Sequence, residues 1–188
     1  RKYNLKRIFD IFISLILMLL LAPLVFFLIV VIYFIQGKPV FFIQQRPGLY
    51  GKSFKMIKLR TMSNDHDPNG KLFPSTARIT PFGSLLRSTS LDELPELWNV
   101  IKGDMSLVGP RPLMTEYLPL YNKRQARRHD VLPGITGWAQ IMGVYDSSVA
   151  DVHNKLKHDF YYIENMSILL DLKIIFITIW VVLKGGGH

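Results

Sequence analysis

From Ile11 to Ile35 the chain carries no charged residue, and most of the run is Leu, Ile, Val and Phe. At ~1.5 Å per residue, a straight helix of this length covers the ~30 Å hydrocarbon core of a bilayer. The run is too long for the core of a secretion signal. Gln36-Gly37-Lys38-Pro39 follows it in place of a small-residue cleavage site. It is a membrane segment, so the rest of the chain must fold beside a bilayer.

Two features argue against a plain crossing. Ala22-Pro23 falls near the middle of the run. Proline lacks the amide hydrogen, clashes with the preceding turn and pushes Ala22 away from helical angles. Positive charge also flanks both ends, with Arg1, Lys2, Lys6 and Arg7 before the run and Lys38, Arg46, Lys52, Lys55 and Lys58 after it. Lys and Arg accumulate on cytoplasmic flanks, so both ends read as cytoplasmic. A helix that enters one leaflet, breaks at Ala22-Pro23 and returns satisfies both observations. A kinked spanning helix is the competing reading, because membranes tolerate proline where neighbours satisfy the freed carbonyl.

About 150 residues remain for one globular domain, enough to bury a core. The net charge of the 188-residue chain is +9, which favours an anionic surface or an anionic substrate. Nucleic acid is not expected as a partner, since no helix-turn-helix, RNA-binding or zinc signature is present. The chain has no cysteine, which excludes disulfides and thiolate metal sites.

Pro39 to Met62 reads as a β-hairpin. Val40-Phe41-Phe42-Ile43 is strand-like, Pro47-Gly48-Leu49-Tyr50-Gly51 is a turn, and Phe54 to Met62 is a second, basic strand. Lys58 and Arg60 share one strand face, either as a wet, edge-protecting pair or as a cationic site. Ser63 to Ser75 is a polar loop whose acidic and His spacing fits neither an EF-hand nor a zinc site. Helical patterning returns at Pro81 to Arg87 and at Leu91 to Lys102, where Leu94, Leu97, Trp98 and Ile101 recur on one face. It returns again from Leu113 to Arg128, whose basic end suits the helix dipole. Val131 to Trp138 is a Pro/Gly-punctuated loop suited to close backbone approach by a ligand, with Trp138 packing inward. Ile174 to Leu183 is too short to span and reads as an interfacial or a core helix. Gly185-Gly186-Gly187-His188 reads as an added or truncated tail.

The chemistry concentrates in Ser90-Leu91-Asp92-Glu93-Leu94-Pro95, followed by Lys102-Gly103-Asp104-Met105-Ser106 and Gly109-Pro110-Arg111-Pro112. Taken alone, the acidic pair is a helix N-terminus with Ser90 as its cap. In context it suits chemistry at phosphate: one carboxylate attacks phosphorus, a second helps hold a divalent metal, and arginine clamps the non-bridging oxygens. Adjacent carboxylates on a helix point about 100° apart, so they divide two roles rather than grip one atom. Arg87 lies near the pair. Arg111 is held between two prolines and loses less entropy on binding phosphate.

In order along the chain come a basic start, a Pro-broken apolar run, Arg46-Pro47-Gly48, Lys58-Leu59-Arg60-Thr61-Met62, Arg87-Ser88, the three motifs around Asp92 and Arg111, and Pro133-Gly134-Ile135-Thr136-Gly137. This ordered set resembles the small monotopic phosphoglycosyl transferases of the bacterial sugar transferase family, from Leu5 to about Leu183. The resemblance implies an α+β monotopic membrane protein on the cytoplasmic face of the bacterial inner membrane. Residues 1–37 would form a re-entrant helix broken at Ala22-Pro23. Residues 38–184 would form a mainly helical cytoplasmic catalytic domain with a small β-hairpin and interfacial amphipathic helices, leaving 185–188 as tail. Larger members of the family carry extra N-terminal membrane helices, so the resemblance leads us to expect the minimal catalytic form here.

The implied activity is transfer of a phospho-sugar from a UDP-sugar to undecaprenyl phosphate among the membrane lipids, with release of UMP. That is the first membrane step of glycoconjugate assembly, before downstream glycosyltransferases. By motif, Asp92 would be the nucleophile forming a covalent phospho-sugar intermediate, with Glu93 beside it and Mg²⁺ held by the two. Lys58, Arg87 and Arg111 match the family's basic positions and, with Arg60 and Asp159, complete the substrate-binding set. One segment departs from the pattern: many relatives read Gly-Arg-Asn after Ala139-Gln140, whereas this chain has Gly143-Val144-Tyr145. The sugar or the nucleotide is therefore expected to be held differently. Two other classes remain open, a non-enzymatic scaffold for anionic lipid and a one-step lipid phosphotransferase in which Asp92 only binds metal.

Overall fold

A computed structural model describes residues 2–143 and 149–184. The apolar run forms one helix, α1 (Lys2–Gln36), whose helical backbone is carried through Pro23. Among the described residues it is the one helix long and apolar enough to cross a membrane. Its middle, around Leu19, Leu20 and Pro23, is exposed, whereas both ends are packed. Lys6, Asp10 and Ser14, spaced four apart and so on one helix face, are buried. Lys6 Nζ lies 2.6 Å from Asp171, and Asp10 accepts a 2.7 Å hydrogen bond from Ser106 Oγ. At the far end Leu28 and Ile32 pack with Leu59 and Leu86. There Arg60 donates to the carbonyls of Gln36 and Gly37, which satisfies acceptors a helix end leaves bare. Both ends of the apolar helix are thus fastened to one body.

The expected hairpin forms. Strand β1 (Phe41–Pro47) pairs antiparallel with β2 (Ser53–Leu59), setting Phe41 opposite Leu59 and Pro47 opposite Ser53. Phe54 and Met56 are buried on one face of β2. Lys58 continues that face by the two-residue period, so its ammonium is aimed into the domain rather than at solvent. Two short helices follow, α2 (Ser75–Arg78) and α3 (Pro81–Ser88), the latter capped by Thr80, whose side chain accepts from the Gly83 amide.

The stretch read as one helix from Leu91 to Lys102 divides in two. Leu91–Glu93 is a 3-10 turn and α4 runs from Glu96 to Lys102. Pro95 has no amide with which to bond the Leu91 carbonyl, so the α-helix restarts after it. Ser90 is not the cap expected of it: its φ of 54° is left-handed and its side chain bonds no amide of the turn. Leu113 to Arg128 is likewise broken. It comprises a 3-10 segment (Thr115–Leu120) containing Pro119, a short α5 (Lys123–Ala126) under an Asn122/Gln125 capping box, and a 3-10 turn over Arg127–His129.

The Pro/Gly segment near Trp138 is a strand rather than a loop. Strands β3 (Ser106–Val108) and β4 (Gly134–Thr136) pair in parallel. A Cβ placed on Gly109, Gly134 or Gly137 would stand 2.1–2.4 Å from backbone atoms of the opposite segment. The close approach these glycines permit is therefore chain on chain, where a ligand was expected.

Helices α6 (Trp138–Ile141), α7 (Val149–Asn165) and α8 (Ile168–Leu183) complete the fold. Trp138 packs inward on Tyr161, ring centroids 5.0 Å apart. The main core joins β2, α4 and β3 with Tyr162 of α7 and Ile174 of α8. The outer side of α8 leaves Leu169, Phe176, Ile179 and Trp180 exposed, apolar like the bare middle of α1. The expected departure at Val144-Tyr145, and residues 185–188, lie outside the described residues.

Candidate active site

Strand β2 and the Leu91–Glu93 turn bring a lysine and two carboxylates together, and the Pro110-Arg111-Pro112 turn adds a guanidinium. Glu93 Oε1 lies 2.6 Å from Lys58 Nζ and also accepts from Arg111 Nη2, while Arg111 Nη1 reaches Oε2 at 3.4 Å. The guanidinium thus meets the carboxylate with both prongs. Burial alone would raise the Glu93 carboxyl, but the Arg111 and Lys58 charges outweigh it and hold its pKa to about 2.

Asp92 is 8% exposed, and among the described residues no basic side chain stands within ion-pair distance of it. Burial, reinforced by the Glu93 charge, outweighs the more distant Lys58 and Arg87 charges and raises its pKa to about 6. The chain has therefore buried a carboxyl next to a second one and ion-paired only the second.

A third carboxylate belongs to the group and was not singled out from the sequence. Glu96 is 2% exposed, with Oε1 3.3 Å from Lys58 Nζ but outside hydrogen-bonding geometry. Burial and the Glu93 charge push its pKa up to about 7. Its signal was spacing: Glu96 follows Glu93 by three residues and Asp92 by four, the separation at which side chains meet on a helix face.

Lys58, Arg60, Arg87, Arg111, Asp92 and Glu93 line one open cavity of about 800 Å³, with Arg46 and Arg78 adding to its cationic wall. That size lies within the range of small-molecule sites, about 300–1,000 Å³. Arg87 is steadied by a 2.9 Å bond from Nε to Thr61 Oγ1. Arg60 spends one nitrogen on the end of α1 and still borders the cavity.

Asp159 is not on that wall. It is buried behind it, accepting from Arg128 Nε and Nη2 at 3.1 and 2.9 Å, while Arg128 Nη2 also donates to the Arg111 carbonyl at 2.8 Å. Asp159 thus acts on Arg111 through Arg128. In the sequence Arg128 looked like a helix-end charge.

Among the described residues there is no group of three or more acidic or histidine side chains able to hold a metal alone. Mg²⁺ is ordinarily held through one or two carboxylates together with substrate phosphates, and Asp92 with Glu93 fits that pattern. Any share taken by Glu93 competes with Arg111 and Lys58. A cationic cavity beside an unneutralised carboxylate is equipped to bind a diphosphate and attack it.

Residues 1–185 match the family model described as bacterial sugar transferase. The chain is 49% identical to the uncharacterized sugar transferase EpsL of Bacillus subtilis, over 97% of this chain and 89% of that protein. It is 38% identical to the UDP-N-acetylgalactosamine-undecaprenyl-phosphate N-acetylgalactosaminephosphotransferase of Aeromonas hydrophila, over 97% of this chain and 44% of the relative. It is 39% identical to the UDP-glucose:undecaprenyl-phosphate glucose-1-phosphate transferase of Xanthomonas campestris, over 92% and 37%. The chain spans less than half the length of these last two relatives.

Proposed function

The chain belongs to the bacterial sugar transferase family, and from that premise we propose that it moves a phospho-sugar from a UDP-sugar to undecaprenyl phosphate and releases UMP. The relatives named for that reaction supply the substrate class. The observation that carries the reading is Asp92, a buried carboxyl without a cation of its own, bordering a cavity lined by Lys58, Arg87 and Arg111.

The diphosphate binds against those three cations. With a pKa of about 6, Asp92 is largely ionised at neutral pH. One of its oxygens attacks the phosphorus that bears the sugar, and the bond from that phosphorus to the bridging oxygen breaks, its electron pair leaving on UMP. The sugar phosphate is now an acyl phosphate on Asp92. A phosphate oxygen of undecaprenyl phosphate attacks the same phosphorus, the acyl bond breaks, and the carboxylate is restored as the lipid diphosphate sugar departs. Glu93 transfers no proton in this scheme; it fixes Lys58 and Arg111. Mg²⁺, when bound through Asp92 and Glu93, would supply neutralisation of the diphosphate charge.

The topology follows the same reading. Basic flanks and the packing of both α1 ends on one body support a helix that turns back at Ala22-Pro23, with the site on the cytoplasmic face of the inner membrane. Intact-protein mass, measured after incubation with a UDP-sugar and Mg²⁺ but no lipid, tests the chemistry. A gain equal to one phospho-sugar, absent in Asp92→Asn, is expected. Intersecting initial-rate lines without an adduct would assign one-step transfer instead.

A further inference from the structure

Lys58 stands between two carboxylates that open on different spaces. Glu93 borders the cavity of about 800 Å³, whereas Glu96 borders a separate chamber of about 90 Å³. Arg46, Lys58 and Arg111 line both spaces, so the cationic row partitions one from the other. From that row Lys58 Nζ reaches Glu93 Oε1 at 2.6 Å and Glu96 Oε1 at 3.3 Å. An acid in the first turn of a helix is ordinary where solvent reaches it. Glu96 is 2% exposed, and its Oε1 accepts no hydrogen bond among the described residues. A buried acceptor without a donor is costly to keep.

We propose that Glu96 is a positioning residue, a second berth that takes the Lys58 ammonium when Glu93 turns toward a metal-bound diphosphate; the inference rests on the transferase reading above. Two demands fall on Glu93. It pairs with Lys58 and Arg111, and it is the carboxylate that fits Mg²⁺ alongside Asp92. When it answers the second demand, Lys58, with a side chain only 16% exposed, keeps a counter-charge in Glu96. A shift of about half an ångström shortens 3.3 Å to the length of a charge-assisted hydrogen bond. The chamber beside Glu96 leaves the ammonium room for it. A water lodged there would satisfy Oε1 without neutralising it. Lys58 thus stays on the cavity wall in both states, its charge still turned toward the diphosphate. Glu96 acts from behind the row, through Lys58.

Thermal unfolding at about pH 8.5, above the pH at which Glu96 titrates, reads the berth without substrate or metal. Glu96→Gln is introduced into the wild type, into Glu93→Gln, and into Glu93→Gln combined with Lys58→Met. Beside Glu93 the change should leave the midpoint level or raise it, because the two negative charges oppose each other. In Glu93→Gln, where Glu96 is the remaining ion-pair partner of Lys58, it should lower the midpoint by at least ~3 °C. Without Lys58 that lowering should disappear. An equal effect in the wild type and in Glu93→Gln would overturn the proposal, and so would a lowering that persists in Lys58→Met. Kinetics supply the second reading. Glu96→Gln alone should raise the Mg²⁺ concentration for half-maximal UMP release by about 10-fold, because Lys58 then has nowhere to go when Glu93 leaves it. A slower rate with the same Mg²⁺ dependence would make Glu96 purely structural and overturn the proposal; this reading decides if Glu93→Gln does not unfold cooperatively. If the wild type releases no UMP from any UDP-sugar, the transferase reading fails by itself, and the unfolding comparison still decides whether Glu96 is a berth for Lys58.

Discussion

Around Glu93 nearly every charge has its opposite at hand, with Lys58 at 2.6 Å, Arg111 in the two-pronged clamp and, behind Arg111, the Arg128–Asp159 pair. Around Asp92, one residue earlier, burial is similar and no basic side chain among the described residues forms an ion pair. The first region is settled before any substrate arrives. The second is held in readiness, its carboxyl pushed up to about 6 while the Glu93 carboxyl is pulled down to about 2. Two carboxylates in one turn have been separated in character by which of them the cations pair with, the usual route to distinct roles for like groups.

The sharpest way to break this contrast is to remove each carboxylate in turn. Asp92→Asn should lower turnover by on the order of 10⁴-fold or more, as loss of a nucleophile does, while the protein folds normally by circular dichroism. Residual turnover near the wild-type rate would return Asp92 to the settled side of the comparison. Glu93→Gln should behave differently, because it strands the largely buried Arg111 and leaves Lys58 only Glu96. Breaking such a pair costs about 3–5 kcal/mol, so thermal unfolding should come earlier by roughly 6–20 °C. If the midpoint holds and only activity falls, Glu93 acts on substrate rather than on Lys58 and Arg111.

Arg111→Lys retains the charge and loses the fork. Catalytic efficiency should drop at least ~10-fold, about 1.4 kcal/mol of transition-state stabilisation; wild-type kinetics would assign Arg111 to the frame.

A subtler effect carries the opposite sign. Asp92 holds its proton more tightly when folded, with a native pKa of about 6 against an ordinary 3.8. Wild-type stability from this group therefore falls as pH rises from about 4 to about 6, and stays lower above that window. Asn does not titrate. The unfolding free energy of Asp92→Asn should approach that of the wild type near pH 4 and exceed it most above pH 6, by about 2–3 kcal/mol. A gap that does not vary with pH would mean that Asp92 is not the strained partner. Smallest is the effect expected of Pro23→Ala, which restores an amide in α1 and should shift a fraction of molecules toward spanning. Cysteines at Lys2 and Lys38, probed with an impermeant thiol reagent, report it through labelling of one end from outside the cell.

Where the determinants were local, the sequence was readable. The hairpin followed from two strand-like runs around Pro47-Gly48, and Lys58, Arg60, Arg87, Arg111, Asp92 and Glu93 do meet at one cavity. What stayed hidden depended on distant partners. Asp159 and Arg128 are 31 residues apart and neutralise one another, which a motif match cannot reveal. The β3–β4 pairing is three residues deep, too short for a periodic signal, and its glycines answer to a neighbouring backbone. The helix that carries Glu96 was read for its apolar face alone, and only the position of Lys58 makes Glu96 part of the site. The helix expected from Leu113 to Arg128 failed on Pro119, where the basic and apolar pattern had outweighed a missing amide.

The ion pair between Lys6 and Asp171 spans 165 residues. At about 5–20 residues per second, synthesis reaches Asp171 roughly 8–33 s after Lys6. Within that interval α1 gains Leu59 and Leu86 at its far end and Ser106 opposite Asp10, while Lys6 still lacks its partner in α8. The clasp made last fastens the helix made first. A chain halted before α8 would possess its apolar helix and its acidic pair, yet lack the ion pair that joins the Asp10–Ser106 bond in holding the start of α1 against the domain.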